Sequence, residues 1–354
     1  MTSANLCKSK NLYLFNLSTD DNNPILNFSW NWVTEFSKLY HEVFVFTTHM
    51  GNRKPDDGIK ITEIGGGSST KRLKAIIKLL KIFATIFKDR KRAVVFHHMS
   101  VNSAVILGLP LRFAGVKQGL WYSHSSNNWK IKLASKFVTR IFSSSETAFP
   151  IDSKKISFLG HGIVVEDFIQ NPYRSLETAH KIVSIGRITP IKKLEKLLHA
   201  VSEASIFPKK ITFIGPTSGK DYKYREHLFE LAKLLEIDLE IMDQIESNKI
   251  PKKLSAFGIF YTGTPKSTDK AAIEAAISGC YVLSDNSNTI ELVGMKEFWE
   301  SINQGPISLK DQIEIIIDRP HEISQYDRQL IQNISSQRNN LSTLIQRIVK
   351  ILEV

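Results

Sequence analysis

The chain has 354 residues, 42% apolar and 23% charged, with two cysteines, Cys7 and Cys280, and a formal net charge of +12. That length suits two domains of about 150 residues each, and the composition excludes a disordered chain, a collagen and a fibre. The two distant cysteines exclude a disulfide scaffold and point to a reducing compartment, while the excess of cations points to nucleic acid, an acidic membrane surface or a phosphorylated ligand.

In chain order, short apolar runs alternate with helical stretches. Leu12 to Leu17 reads as a strand, and Leu26 to Tyr40 as a helix with Phe28, Trp32, Phe36 and Leu39 near one face. Val43 to Thr47 and Ile59 to Ile64 are strands, and Gly65-Gly66-Gly67 is a break. Lys71 to Lys88 is helical, Ala93 to His97 a strand and Asn102 to Phe113 a helix. Gly119 to Ser123 and Arg140 to Ser144 are strands around a helix near Ile131 to Phe137, and Ile156 to Leu159 closes the half. After the polar stretch Asn171 to Ala179 the pattern restarts. Strands at Ile182 to Ile185, Ile211 to Ile214, Leu239 to Met242, Gly258 to Tyr261 and Tyr281 to Ser284 alternate with helices, among them Leu194 to Ser202 and Tyr222 to Leu235. The tail from Ile323 is mostly helical.

Such alternation predicts parallel sheets with helices on both faces, and two runs of it predict two α/β domains. The expected division is 1–168, 169–325 and a helical segment 326–354 that packs back on the first domain. Ligands of such sheets sit at the carboxyl ends of the strands, and the default site is the cleft between the two domains. No stretch reaches the roughly 20 apolar residues of a membrane span. Leu12 to Leu17, interrupted by Asn16, does not read as a signal peptide. The expected location is cytoplasmic, so the Asn-x-Ser sequons at Asn16, Asn27, Asn333 and Asn340 are read as accidental.

The most informative stretch opens the second half: Val183-Ser184-Ile185-Gly186-Arg187-Ile188-Thr189-Pro190-Ile191-Lys192-Lys193-Leu194. A strand ends in a glycine, a helix is expected to start near Pro190, and Arg187 and Lys192 flank the turn. Close backbone approach, a helix N-terminus and two cations together would make a diphosphate clamp. A basic surface loop with ordinary punctuation would read the same way. In Ala271-Ala272-Ile273-Glu274-Ala275-Ala276-Ile277-Ser278-Gly279, a small-residue helix carries one carboxylate at its start. Glu274 either takes two hydrogen bonds from a ribose diol or is an exposed first-turn glutamate that suits the helix dipole.

These residues resemble a family. Gly186-Arg187-x4-Lys192 is similar to the donor-phosphate motif of GT-B glycosyltransferases, particularly the retaining enzymes of family 4. His161-Gly162-Ile163-Val164-Val165-Glu166-Asp167-Phe168 resembles their interdomain segment. Glu274-Ala-Ala-x-x-Gly279-x-x-Val282 and Glu291-Leu292-Val293 resemble two later blocks, and all four come in the family's order. The resemblance implies two Rossmann-like doubly wound domains facing across a cleft. It also implies transfer of a sugar from a nucleotide-sugar donor to a glycan or lipid-linked acceptor. Arg187 and Lys192 would hold the diphosphate and Glu274 the ribose. Tyr122-Ser123-His124-Ser125 resembles a further segment that would bring His124 to the donor sugar; otherwise His124 is a satisfied loop histidine. His97 and His98, ending a strand, could line the acceptor side. No metal is expected, since side chains and helix dipoles offset the diphosphate charge in such enzymes.

Two departures bear on this. The glutamate that the family usually carries before Glu274 falls on Lys266, in the loop Lys266-Ser267-Thr268-Asp269-Lys270, where Asp269 is the candidate substitute. After the first strand the family's Gly-Gly pair is replaced by Asp20-Asp21-Asn22-Asn23-Pro24. The alternative reading is therefore a non-catalytic GT-B-like binding or scaffold subunit of a glycan assembly complex, and a weaker one is another GT-B activity such as epimerisation of a sugar nucleotide.

Residues 71–92 carry nine Lys or Arg and one Asp. They read as an amphipathic cationic helix, suited to an anionic membrane surface or to packing on the core with a solvated basic back. Trp129-Lys130-Ile131-Lys132 through Lys136 adds a second basic patch. A peripheral position on the inner membrane face would suit a lipid-linked or lipopolysaccharide acceptor. Nucleic acid is not expected, because no helix-turn-helix, RNA-binding signature or basic tail is present.

Overall fold

The computed structural model describes residues 8–20, 26, 28–65, 69–169, 172–206, 209–265, 268–305 and 307–353, with side chains of the helix beginning at Ser69 described from 76 onward. Cys7, Asn27, Asn171, the Asp21-Asn22-Asn23-Pro24 stretch, the Gly66-Gly67 break and Lys266-Ser267 lie outside those residues.

The chain divides into two compact units, Met1–Gly162 with Leu341–Val354, and Ile163–Asn340. The first is built on seven parallel strands: β1 (Asn11–Asn16), β2 (Glu42–Thr47), β3 (Ile59–Glu63), β4 (Ala93–His98), β5 (Lys117–Trp121), β6 (Arg140–Ser143) and β7 (Ile156–Phe158). Their order is β3-β2-β1-β4-β5-β6-β7. Helices α1 (Ser29–Ser37), α2 (Ser69–Lys88), α3 (Val101–Phe113) and α4 (Trp129–Phe137) join the strands. Every residue of β1 and β4 is buried, as central parallel strands covered on both faces require. Tyr13 and Phe15 of β1 pack with Leu79, Ile82 and Ile86 of α2 and Leu107 and Leu111 of α3. Phe96 of β4 meets Trp32 and Phe36 of α1.

The second unit has five parallel strands: β8 (Ile182–Ile185), β9 (Lys210–Ile214), β10 (Asp238–Met242), β11 (Ile259–Tyr261) and β12 (Tyr281–Leu283), in the order β10-β9-β8-β11-β12. Its helices are α5 (Leu176–Ala179), α6 (Leu194–Glu203), α7 (Tyr222–Leu234), α8 (Ile250–Leu254), α9 (Lys270–Ile277), α10 (Ser287–Leu292), α11 (Met295–Ser301), α12 (Leu309–Asp318) and α13 (His321–Asn339). The last helix, α14 (Leu341–Glu353), belongs to the first unit.

Two details differ from the sequence expectation. The chain leaves the first unit at Gly162 rather than near residue 168, because Ile163, Val165 and Phe168 are buried in the second core. The tail is two helices with different homes. Asn340 is extended rather than helical, and Asn339 anchors the end of α13 by donating to the Leu292 carbonyl at 3.0 Å. Leu341, Leu344, Ile345, Ile348, Val349 and Leu352 then form one buried stripe of α14, which packs on α1 and β5.

Arg328 of α13 is 1% exposed and locks the amino-terminal edge of the second sheet. It donates to the carbonyls of Gly258, Gly279 and Ala179 at 2.7, 3.0 and 3.1 Å, and its guanidinium lies 4.5 Å from the Tyr281 ring centroid. Replacing it by leucine withdraws that donor from three buried carbonyls. Arg328→Leu is expected to lower unfolding free energy by about 3 kcal/mol, read by urea denaturation.

Candidate functional site

In each sheet the strand order reverses beside the first strand of the unit, β1 or β8. Connections leave in opposite directions there, which opens a crevice at the carboxyl ends of the strands. In the second unit the reversal lies between β8 and β11, where most of the candidate residues gather.

β8 runs into Gly186, with φ +138°, and β9 runs into Gly215, with φ +151°. A Cβ on Gly215 would sit 2.0 Å from the Gly186 carbonyl oxygen, so the two loops leave the sheet as bare backbone side by side. Lys192 lies over Gly186: its Nζ would be 3.0 Å from a Cβ there. Arg187 is exposed and makes no hydrogen bond or ion pair among the described residues.

The helix expected from Pro190 is split. Pro190–Lys192 is a single 3-10 turn whose cap, Thr189, accepts from the Ile191 amide at 3.3 Å. Lys193 then takes a left-handed conformation, φ +48°, and α6 starts at Leu194. The first amide of α6 is already used, since Leu194 N donates to the Tyr224 hydroxyl at 3.0 Å. The end of β11 holds this bend, with Tyr261 donating its hydroxyl to the Lys193 carbonyl at 3.0 Å. Gly263 lies so close that a Cβ would be 2.5 Å from the Lys192 carbonyl oxygen.

Asp269 and Lys192 form an ion pair whose side chains are only 14% and 13% exposed. The same carboxylate accepts from Thr262 Oγ1 at 3.0 Å and caps α9 by accepting from the Ala271 amide at 3.3 Å. Asp269 is thus a structural partner of the lysine. Glu274 sits one turn into α9, buried rather than at an exposed first turn, and pairs with Lys270 at 3.1 Å. Burial raises its carboxyl pKa, the Asp269 charge adds to that, and Lys270 opposes it. Asp167 joins the same field: burial and Glu166 raise its pKa, and Lys270 lowers it. The result is Lys192 held by Asp269 beside bare glycine backbone, Lys270 held by Glu274 at the start of α9, and an unpaired Arg187 next to Gly186. An anion carrying two or more charges can compete with Asp269 for Lys192, whereas a neutral ligand cannot.

The histidines of the first unit fall into two environments. His97 and His98 end β4 but are 0% and 2% exposed. His97 Nδ1 lies 2.8 Å from Ser103 Oγ, and His98 Nδ1 lies 3.2 Å from Asn16 Oδ1. The His98 ring stacks on Trp32 with centroids 4.3 Å apart. Burial pushes both pKa values down to about 3, so both rings are neutral at physiological pH. They are packing residues of the unit and add nothing to its surface. His124 is exposed in the loop after β5, and its Nδ1 accepts from the Ser126 amide at 3.0 Å. That bond leaves the neutral ring with its proton on Nε2, facing away from the loop amide.

No family model and no curated protein matches the chain. Solved structures match nearly all of it. HepE from Anabaena, in complex with UDP, has a TM-score of 0.71 at 14% identity over 97% of this chain and 99% of that one. The fold is GT-B. A glycosyltransferase from Rickettsia africae matches with TM-score 0.71 at 13% identity, covering 98% of each chain. TarM matches with TM-score 0.66 at 12% identity, over 98% of this chain and 99% of that one. At such identities the likeness is one of fold, and family 4 remains a resemblance carried by the motifs.

Three partners in this GT-B site were not singled out from the sequence. Tyr261 ends β11 and Thr262 follows it, and only the strand order brings them beside Lys192. Lys270 was legible, since a lysine one helical turn before Glu274 is the spacing of an ion pair. Among the described residues no group of three or more His, Cys, Asp or Glu could hold a metal ion.

Asp269→Asn keeps a capping side chain on α9 but leaves Lys192 without its counter-charge. We expect a melting temperature below that of the parent chain, restored by inorganic pyrophosphate to a greater extent than in the parent, with both effects weakened by salt. The Glu274 carboxyl binds its proton more tightly in the folded chain. Its contribution is therefore favourable below the ordinary pKa of 4.5 and is lost as pH rises through the elevated folded value. The stability of Glu274→Gln relative to the parent is accordingly expected to rise from pH 4 towards pH 7, read by denaturation across that range.

Proposed function

We propose that the chain is a glycosyltransferase that moves a sugar from a nucleotide-sugar donor to a glycan or lipid-linked acceptor. The observation that carries this reading is the cluster of Gly186, Lys192, Asp269 and Glu274 at the strand-order reversal of the second unit, with Arg187 unpaired beside it. HepE, similar in fold, has been solved with UDP and with UDP-glucose, which makes uridine diphosphate sugars the first donors to test.

In this reading the diphosphate displaces Asp269 from Lys192 and takes Arg187 as its second cation. As the glycosidic bond breaks, negative charge grows on the leaving diphosphate, and the two cations stabilise it without a metal. Glu274 accepts hydrogen bonds from the ribose hydroxyls, and ligand contacts offset part of the cost of its buried charge. His124 contacts the donor sugar near the reacting carbon, and the reaction retains anomeric configuration. The acceptor is met in the cytoplasm, at the inner face of an anionic membrane.

A second reading, a non-catalytic GT-B-like binding or scaffold subunit of a glycan assembly complex, is favoured by two features. One is Asp269 occupying Lys192. The other is Lys266 standing where a donor-gripping glutamate is usual.

Thermal stability with UDP, GDP, ADP and their sugar conjugates, in the absence of metal, tests the binding step. A ligand at 100 times its Kd stabilises the folded state by about 2.7 kcal/mol. One nucleotide series is expected to shift the parent chain and leave Arg187→Ala unshifted. Absence of any shift would count against the glycosyltransferase reading and favour the non-catalytic scaffold. Turnover of the bound sugar nucleotide separates them: His124→Ala is expected to keep the shift and lose about a hundredfold in rate, whereas a parent chain that binds without turnover is the scaffold.

A further inference from the structure

Helix α2 carries more apolar surface than its own unit covers. Leu79, Ile82 and Ile86, at helical spacing, are buried in the first core. A second stripe runs beside them. Ile76, Leu80, Phe83 and Phe87 follow one another by four, three and four residues, and Ile77 adjoins them. Of these, Ile76 is 42% exposed, Ile77 47%, Leu80 56% and Phe87 44%. Helix α3, which packs against α2, continues the surface. Its Ile106 joins the core that α2 covers, while Leu109 and Phe113, on the same face of α3 as Ile106, are 40% and 84% exposed. Single exposed apolar side chains are ordinary, but six large ones on two adjoining helices mark a docking surface.

Cations dominate the charge around this surface. Lys78, Lys81, Lys88, Arg90, Lys91 and Arg92 are exposed along and just beyond α2. Arg90 stacks over Phe87 with its guanidinium 4.8 Å from the ring centroid. Asp89, the one acidic residue of this stretch, is turned inward, where it accepts from Asn11 Nδ2 at 2.8 Å and from the Tyr13 hydroxyl at 3.1 Å. A second copy of the chain seated on this surface would set these cations against one another. A bilayer bearing anionic headgroups meets both requirements, taking the apolar stripe into its interface and the lysines among its phosphates.

We infer that the exposed stripe of α2, extended by Leu109 and Phe113 of α3, is the surface by which this protein docks on an anionic membrane, α2 lying along the interface. The inference makes the membrane part of the proposed function specific to one face, and it does not depend on the donor site.

The test is co-sedimentation of the full chain with phosphatidylcholine vesicles and with vesicles containing phosphatidylglycerol, at low and high salt. Binding is expected to the anionic vesicles, to weaken with salt, and to fall by about tenfold or more in Leu80→Asp combined with Phe113→Asp. Both side chains are exposed, so the variant should keep the parent's circular dichroism and nucleotide-induced thermal shift. Lys81→Glu combined with Lys88→Glu should lose the preference for anionic lipid while the apolar stripe stays intact. The inference is overturned if the parent chain ignores anionic vesicles, or if the aspartate variant binds as well as the parent. It is also overturned if sedimentation shows a dimer that Leu80→Asp dissolves. Loss of the nucleotide shift in the parent chain, with vesicle binding retained, would instead count against the glycosyltransferase reading alone.

Discussion

The chain's chemistry depends on a constraint of parallel sheets. Crossovers between parallel strands are right-handed, so a sheet that grows outward from its first strand in both directions sends its connections to opposite faces. At that first strand the loops part, and polar side chains can gather without interrupting the hydrogen bonds between strands. Both units are built this way, around β1 and β8. In the first unit the reversal is filled by Asn16, Thr19 and His98, which bond to one another and are nearly sealed from solvent. In the second it is lined by glycine backbone and by charged side chains that are paired, Lys192 and Asp269 being only slightly exposed. The same topology thus yields a packed polar plug in one unit and a candidate ligand site in the other.

Electrostatics governs the second site. A lysine so little exposed, beside bare backbone, would be costly to leave without a counter-charge. Asp269 supplies that charge, caps α9 and takes the Thr262 hydroxyl, so one carboxylate stabilises three elements. An anion that takes Lys192 must break this pair, and its net affinity is smaller than its direct contacts would suggest. Arg187 carries no such obligation and is the better candidate for first contact.

Much of the fold was legible because buried parallel strands read as apolar runs and their helices as periodic ones. The cation motif was legible too, since Gly186, Arg187 and Lys192 are close in sequence. The rest was not, for two reasons. The pairing of Lys192 with Asp269 joins residues 77 apart, and no local pattern announces it. Local conformation was also set by neighbours: a lysine in the left-handed region at 193 is held by Tyr261, which belongs to a strand far along the chain. His97 and His98 show the same limit, since a strand end reads identically whether its ring is capped by solvent or by Trp32 and Ser103. The second apolar stripe of α2 could not be told from its buried one by periodicity, because both have the spacing of a helix face.

The return of α14 to the first unit has a consequence for how the protein comes into being. Leu344, Ile345, Ile348 and Leu352 are buried in that unit, and Glu353 takes Lys10 and, through its carbonyl, Lys117. These residues are made after the whole of the second unit. During synthesis the first sheet therefore waits with the surface that α14 will cover, including parts of α1 and β5, open to solvent. The second unit, continuous in sequence, can close first. The first unit can therefore complete its packing only after the second unit has been made.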